Sequence, residues 1–221
     1  MISDVVMIVI RKLSGNSLVN KDFTLDAPAP ISFSRGKQSS RCPTLFRREG
    51  RPLKDVLPHL SSDKKRIAYL AEETATLTGL ELFPQYLTLL FEVDALFLID
   101  DRHLNNIAVL EKNDRFDYCP IFDNGAGLLS NVQMAPMDIE PAALIRSAKA
   151  RPFTTTFNRQ VIHARNLFGP QLHMPKFTEE ALSRELEEPL SYYAQRDRGF
   201  IADRVCQIIL TRLREHDTRR G

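Results

Sequence analysis

Apolar positions recur along this chain with two periods, and the change from one to the other marks its most informative stretch. From residue 61 to residue 99 the spacing is helical. Ile67, Leu70, Ala71, Thr74 and Leu77 fall on one face of a helix that Ser61 or Ser62 caps and Gly79 ends. Residues 83–99 are apolar nearly all round, broken by Glu92 and Asp94, which is the pattern of a central buried helix. The period then shortens. IAVL at residues 107–110 and YCPIF at residues 118–122 read as two strands, joined by a charged turn at residues 111–117, and so as a hairpin. Pairing them brings the polar segments before and after the hairpin to the same end, so that Asp101, Asn106 and Asp123 can converge.

The remainder is read the same way. Residues 3–13 suit a helix closed by Gly15 and Asn16, and residues 18–25 and 31–34 are strand-like. Residues 35–49 look like a basic loop, with Thr44, Leu45 and Phe46 forming a short strand inside it. Gly36-Lys37 does not make a phosphate-binding loop, because Arg35 precedes it and Gln38 stands where a Ser or Thr is needed. Downstream, residues 134–137 are a loop and residues 138–149 a helix with Pro141 in its first turn. Further helices are expected at 157–167, at 178–194 with a kink at Pro189, and at 200–216. The charged end from residue 214 is expected to fray.

Composition narrows the classes. A 221-residue chain holds one domain or two small lobes, and 43% hydrophobic residues suffice for a sizeable core. Thirty basic against 28 acidic residues, a net charge of +2, gives no electrostatic case for nucleic acid. Tyr192, Tyr193 and Phe200 have no basic stripe beside them and read as packing residues rather than base-stacking ones. Cys42, Cys119 and Cys206 are widely separated, which suits a reduced, cytoplasmic protein. The N-terminal VVMIVI run lacks the flanks of a signal peptide and is far shorter than the ~20 apolar residues of a membrane span. His59, His163, His173 and His216 show no ligand spacing, so zinc is not expected.

The candidate chemistry lies at the two polar segments. Asp101, Asn106 and Asp123 offer a carboxylate, an amide oxygen and a second carboxylate, the hard oxygen ligands that magnesium takes. Asp101 and Asn106 have the Asp-x-x-x-x-Asn spacing that separates the base from the metal-binding Asn in a kinase catalytic loop. Asp123-Asn124-Gly125 after a strand stands where the second metal ligand would be. Each half alone reads as readily as a polar turn. Both in order, with a hairpin between them, favour a site.

Asp101-Arg102-His103-Leu104-Asn105-Asn106 resembles the Asp-Arg-His-x-x-Asn loop of phosphatidylinositol 3- and 4-kinases. Together with the hairpin and Pro120-Ile121-Phe122-Asp123-Asn124-Gly125 it more closely resembles the bacterial HipA-like serine/threonine kinases. Ala150-Arg151-Pro152-Phe153, followed by Phe157 and Gln160, is similar to a segment that follows the active site in short members of that group. The resemblance runs from about residue 61 to the C-terminus.

What the resemblance implies is an α+β, protein-kinase-like fold, with a partial small lobe at 1–60 and a mostly helical large lobe at 61–221. It implies ATP and Mg2+ as cofactors and a protein Ser or Thr as phosphate acceptor. Asp101 would be the catalytic base, and Asn106 and Asp123 would hold the metal and the nucleotide phosphates. His103 would brace the loop, against Asp123 or otherwise, while Arg102 stands open between a structural role and phosphate contact. The Gly-rich loop and lysine strand of a kinase small lobe are not visible before Asp101, where the only glycines are Gly15, Gly36, Gly50 and Gly79. The helix at 3–13, with Asp4, would match the one following that strand, so the small lobe is expected to be truncated and ATP binding weak. The rival readings are a catalytically impaired binding module or fragment, and, ranked last, a lipid kinase.

Overall fold

The computed structural model describes residues 38–172 and 178–217. The helix expected at 3–13, the strands at 18–25 and 31–34, the Gly36-Lys37 pair and the last four residues lie outside that range. Within it the protein is α+β and mostly helical, with one small antiparallel sheet.

The sheet has three strands in the order β1 (Gln38–Arg41), β2 (Ala108–Lys112) and β3 (Arg115–Tyr118), each antiparallel to its neighbour. Val109 pairs with Ser40 on one side and Tyr118 on the other. The expected basic loop is therefore a strand followed by helix α1 (Cys42–Arg48), not a loop enclosing a strand at residues 44–46. Pro43 sits in the first turn, where its fixed φ suits a helix, and Leu45 and Phe46 are buried while Arg47 and Arg48 point outward. Arg48 then spans the sheet edge, donating to both Glu111 carboxylate oxygens at 2.9 and 2.6 Å.

A one-turn helix, α2 (Leu53–Val56), leads to the helical body. Helix α3 (Asp63–Thr78) begins as its sequence requires: the Ser62 hydroxyl accepts from the Lys65 N–H, and Gly79 closes the helix at φ 73°. Helix α4 (Phe83–Phe97) runs through the centre of the core, with ten apolar or aromatic side chains buried along it. Of α5 (Pro141–Ser147), α6 (Phe157–Phe168), α7 (Glu179–Leu190) and α8 (Gln195–Asp217), α6 and α8 pack against it together with α3, and α8 in turn carries α5 and α7. Pro189 lies one residue from the end of α7 and stops that helix rather than kinking it. Helix α8 starts five residues before its expected position, because Arg198 donates to the Tyr193 and Ser191 carbonyls and fixes the entry turn.

Tyr193 packs against the core as expected, but Tyr192 and Phe200 do not: they are 78% and 56% exposed. The three cysteines are buried free thiols, and burial pushes Cys42 and Cys119 up to about 12. Among the described residues, no helix is long and apolar enough to cross a membrane.

Candidate active site

The site begins with the way α4 ends. Leu98 turns left-handed at φ 52°, and the Asp94 carbonyl accepts N–H groups from Leu98 and Ile99. The chain leaves the buried helix there and emerges at Asp100 and Asp101. A tight turn follows: His103 N–H donates to the Asp101 carbonyl at 2.8 Å and Asn106 N–H to the His103 carbonyl at 2.8 Å. Residue 107 then enters the sheet, where its carbonyl accepts from the Cys42 N–H at 3.0 Å.

The hairpin is shorter at its tip than its charges suggest. Its turn is Asn113-Asp114 alone, both left-handed at φ 50° and 58°, the requirement of a two-residue type I′ connection. Pairing ends at Tyr118, so only the first residue of the strand expected at 118–122 is in the sheet. Pro120 has no N–H to give to a ladder. The segment 118–122 still delivers Asp123 to the end of the hairpin where residues 101–106 lie.

There the Asn106 amide donates to Asp123 Oδ2 at 2.6 Å and to the Asp101 main-chain carbonyl at 3.2 Å. One side chain thus ties both polar segments together across 17 residues of chain. Asn106 is 3% exposed, whereas the carboxylates of Asp101 and Asp123 reach solvent. Asp123 is held at φ 56°. Aspartate tolerates this left-handed region better than most residues do.

Arg102 supplies the fixing. Its guanidinium is wholly buried and bonded on every side. Nε and Nη2 reach Asp94 Oδ1 at 3.2 and 3.0 Å. Nη1 reaches the Phe122 carbonyl at 2.5 Å and the Asn106 carbonyl at 3.4 Å, and Nη2 reaches Asn124 Oδ1 at 2.6 Å. Of its two open readings the structural one holds, since no donor is left for a phosphate. Arg102 joins the buried helix, the segment at residues 101–106 and the Asp123 segment in one knot. Burial raises the Asp94 carboxyl to about 6, against the lowering effect of Arg102.

The brace expected between His103 and Asp123 does not form among the described residues. The His103 ring is about half exposed and stands 3.9 Å from Asp101 Oδ1, outside hydrogen-bond distance but close enough to feel its charge. Asp100, left out of the site, is raised by burial and by the neighbouring Asp101.

Two residues that complete the knot, Asp94 and Asn124, were not among the expected site residues. Asp94 carried a signal: a carboxylate in an otherwise apolar helix, eight positions before an arginine, needs a buried partner. Glu92 carried the same signal and found a different partner. Its carboxylate accepts from Arg165 at 2.5 Å and from the Gln171 and Leu172 N–H groups at 3.0 and 2.6 Å, on the side of α6.

Chemically, Asn106 and Asp123 present an amide oxygen and a carboxylate from one point. Because Asn106 donates through its nitrogen, its oxygen is left to accept a cation. That donor set fits magnesium, which typically takes one or two protein oxygens and completes its shell with water and phosphate. Among the described residues no group of three or more His, Cys, Asp or Glu side chains gathers as a metal site. Any magnesium here would thus depend on the amide and on a bound phosphate.

The segment from Ala150 also arrives at this end. Ala150 and Thr155 form a bridge, and the Arg151 carbonyl accepts from Gln160 Nε2 at 2.9 Å, with a cis bond between Arg151 and Pro152. Phe153 meets Phe91 of α4 edge-on, with ring centres 6.4 Å apart.

Fold and site together define an α+β protein with a small antiparallel sheet, whose two polar segments are clasped at one end of a hairpin. No family model, no curated protein and no solved structure matches this chain.

Proposed function

We propose that this chain is a phosphotransferase dependent on ATP and magnesium, with a protein serine or threonine hydroxyl as its acceptor. The observation that carries the reading is the 2.6 Å bond from the Asn106 amide to the Asp123 carboxylate. It closes the loop–hairpin–loop unit on which the resemblance to HipA-like kinases rests. In this reading α3 to α8 form the larger lobe of a kinase-like fold, and the described part of residues 38–60 belongs to the smaller one. A reducing, cytoplasmic setting belongs to the same proposal and is supported by the three free, buried thiols.

Asp101 orients the acceptor hydroxyl and takes its proton, a task for an exposed carboxylate at the mouth of the site. His103, its ring 3.9 Å from the Asp101 carboxylate, braces the loop that carries it. Asn106 and Asp123 hold magnesium, which when bound offsets the charge of the transferring phosphoryl group. Arg102 touches neither substrate nor metal; it is a positioning residue.

The test has two readouts. Transfer of labelled phosphate from ATP, to the chain itself or to a generic protein acceptor, should fall about 100- to 10,000-fold in Asp101→Asn and vanish in Asp123→Ala. Titration calorimetry with ATP should show magnesium-dependent binding that Asp101→Asn retains and Asp123→Ala loses. Wild-type protein that binds no nucleotide with magnesium and transfers no phosphate would overturn the reading.

A further inference from the structure

A cleft of about 360 Å³ lies between the α1–α2 segment and the loop at residues 103–105, with Arg151 and Pro152 forming a third wall. Its size is that of a small-ligand or short-peptide site. Leu53 and Leu104 lie in an apolar part of the lining. Three cationic side chains, Arg47, Lys54 and Arg151, line it together with His103, and among the described residues no carboxylate does. All three are on exposed residues, and none forms an ion pair with a described residue, unlike Arg48 and Arg51, which are paired with Glu111 and Glu73.

The walls are built rather than loose. Arg47 is carried on the last turn of α1, whose first N–H is bonded to residue 107 behind the loop. Arg151 is set by the Ala150–Thr155 bridge and by the bond from Gln160. The cleft therefore shares its walls with the segment bearing Asp101, and His103 belongs to both.

We infer that this cleft binds an acidic stretch of the acceptor protein and so selects hydroxyls flanked by Asp or Glu for presentation to Asp101. Three unpaired cations around an apolar floor complement a chain that alternates carboxylates with small apolar side chains. A neutral or basic peptide would leave the cations facing one another without compensation. A peptide is favoured over a lipid headgroup because the apolar surface lies inside the cleft, where side chains enter, and not on a raised face that a bilayer could cover. The inference deepens the proposed function, but its binding half does not depend on phosphoryl transfer.

The experiment uses the full chain and fluorescence anisotropy. The probe is a labelled peptide with one serine flanked by aspartates and glutamates; its control has asparagines and glutamines instead. The acidic peptide should bind, the control should bind on the order of tenfold or more weakly, and added salt should weaken the acidic peptide alone. The double variant Arg47→Glu, Lys54→Glu should lose about tenfold or more in affinity while keeping the wild-type melting temperature, both positions being exposed. Arg151→Gln should weaken binding without reversing the charge of the cleft. Wild-type protein that transfers no phosphate but binds the acidic peptide through the cleft would sink the proposed activity and leave the cleft assignment standing. Equal affinity for both peptides would overturn the inference. So would an affinity unchanged in the double variant, or binding only to vesicles containing a phosphorylated inositol lipid.

Discussion

Arg102 shows how one residue can make a site without touching a ligand. Its partner Asp94 lies in a dry environment, and burying that carboxylate costs more than the guanidinium returns, so the native carboxyl titrates at about 6. An unfolded aspartate titrates near ~3.9. Between those values the folded chain holds a proton that the unfolded chain has released. The contribution of this group to stability is therefore fully present below about pH 4 and is lost as pH rises through about 6. Asp94→Asn keeps a hydrogen-bond acceptor for Arg102 and removes the titration. The stability of wild type relative to Asp94→Asn should fall by on the order of 2 kcal/mol from pH 4 to pH 7. Urea unfolding of both proteins at the two pH values measures it; a difference that does not change with pH would show that Asp94 titrates normally.

At the scale of elements, legibility followed burial. Helix α3 was readable to within one residue at its N-cap, where Ser61 or Ser62 was expected and Ser62 caps it, and to the residue at Gly79, because each cap answers a specific backbone need. The hairpin was readable in kind but not in extent. Glu111, Arg115 and Asp117 looked like turn residues by charge, yet they belong to strands with an open face and edge, where charged side chains project to water or to Arg48. Polarity marks exposure, not turning. The turn itself was hidden in Asn113-Asp114, whose residue types tolerate left-handed backbone better than most. Glycine suits such a position at no steric cost, so Asp114→Gly should stabilise the protein by about 0.5 to 1 kcal/mol. Thermal unfolding would register this as a higher midpoint. A lower midpoint would mean that the Asp114 side chain holds the turn through a bond of its own.

Over the whole molecule, α4 connects two polar clusters on different sides of one apolar core. Asp94 binds the Arg102 knot under the site; Glu92, two residues earlier, binds Arg165 and the backbone at residues 171 and 172. From the sequence these two acids looked alike, as interruptions of a buried helix. Which one serves the site depends on contacts 8 and 73 residues away, and no local pattern encodes the longer of those. The convergence of Asn106 and Asp123 was legible because a hairpin joins them and its geometry is local; the Arg102 knot was not, because its partners lie in three separate segments. The two clusters should separate in experiment. Glu92→Gln leaves the partly buried Arg165 without its counter-charge and should cost on the order of 3 kcal/mol of stability. Among the described residues nothing links it to Asn106 or Asp123 directly, so at a temperature where the variant is still folded, the magnesium-dependent nucleotide affinity proposed for the site should match wild type. Asp94→Asn loosens the knot that holds residues 106, 122 and 124 together, and it should weaken that affinity even where the protein is folded. Calorimetric titration of both variants below their unfolding transitions distinguishes the cases. Equal loss of affinity in the two would mean that the core transmits any buried-charge defect to the site, and Arg102 would then have no special place in holding it.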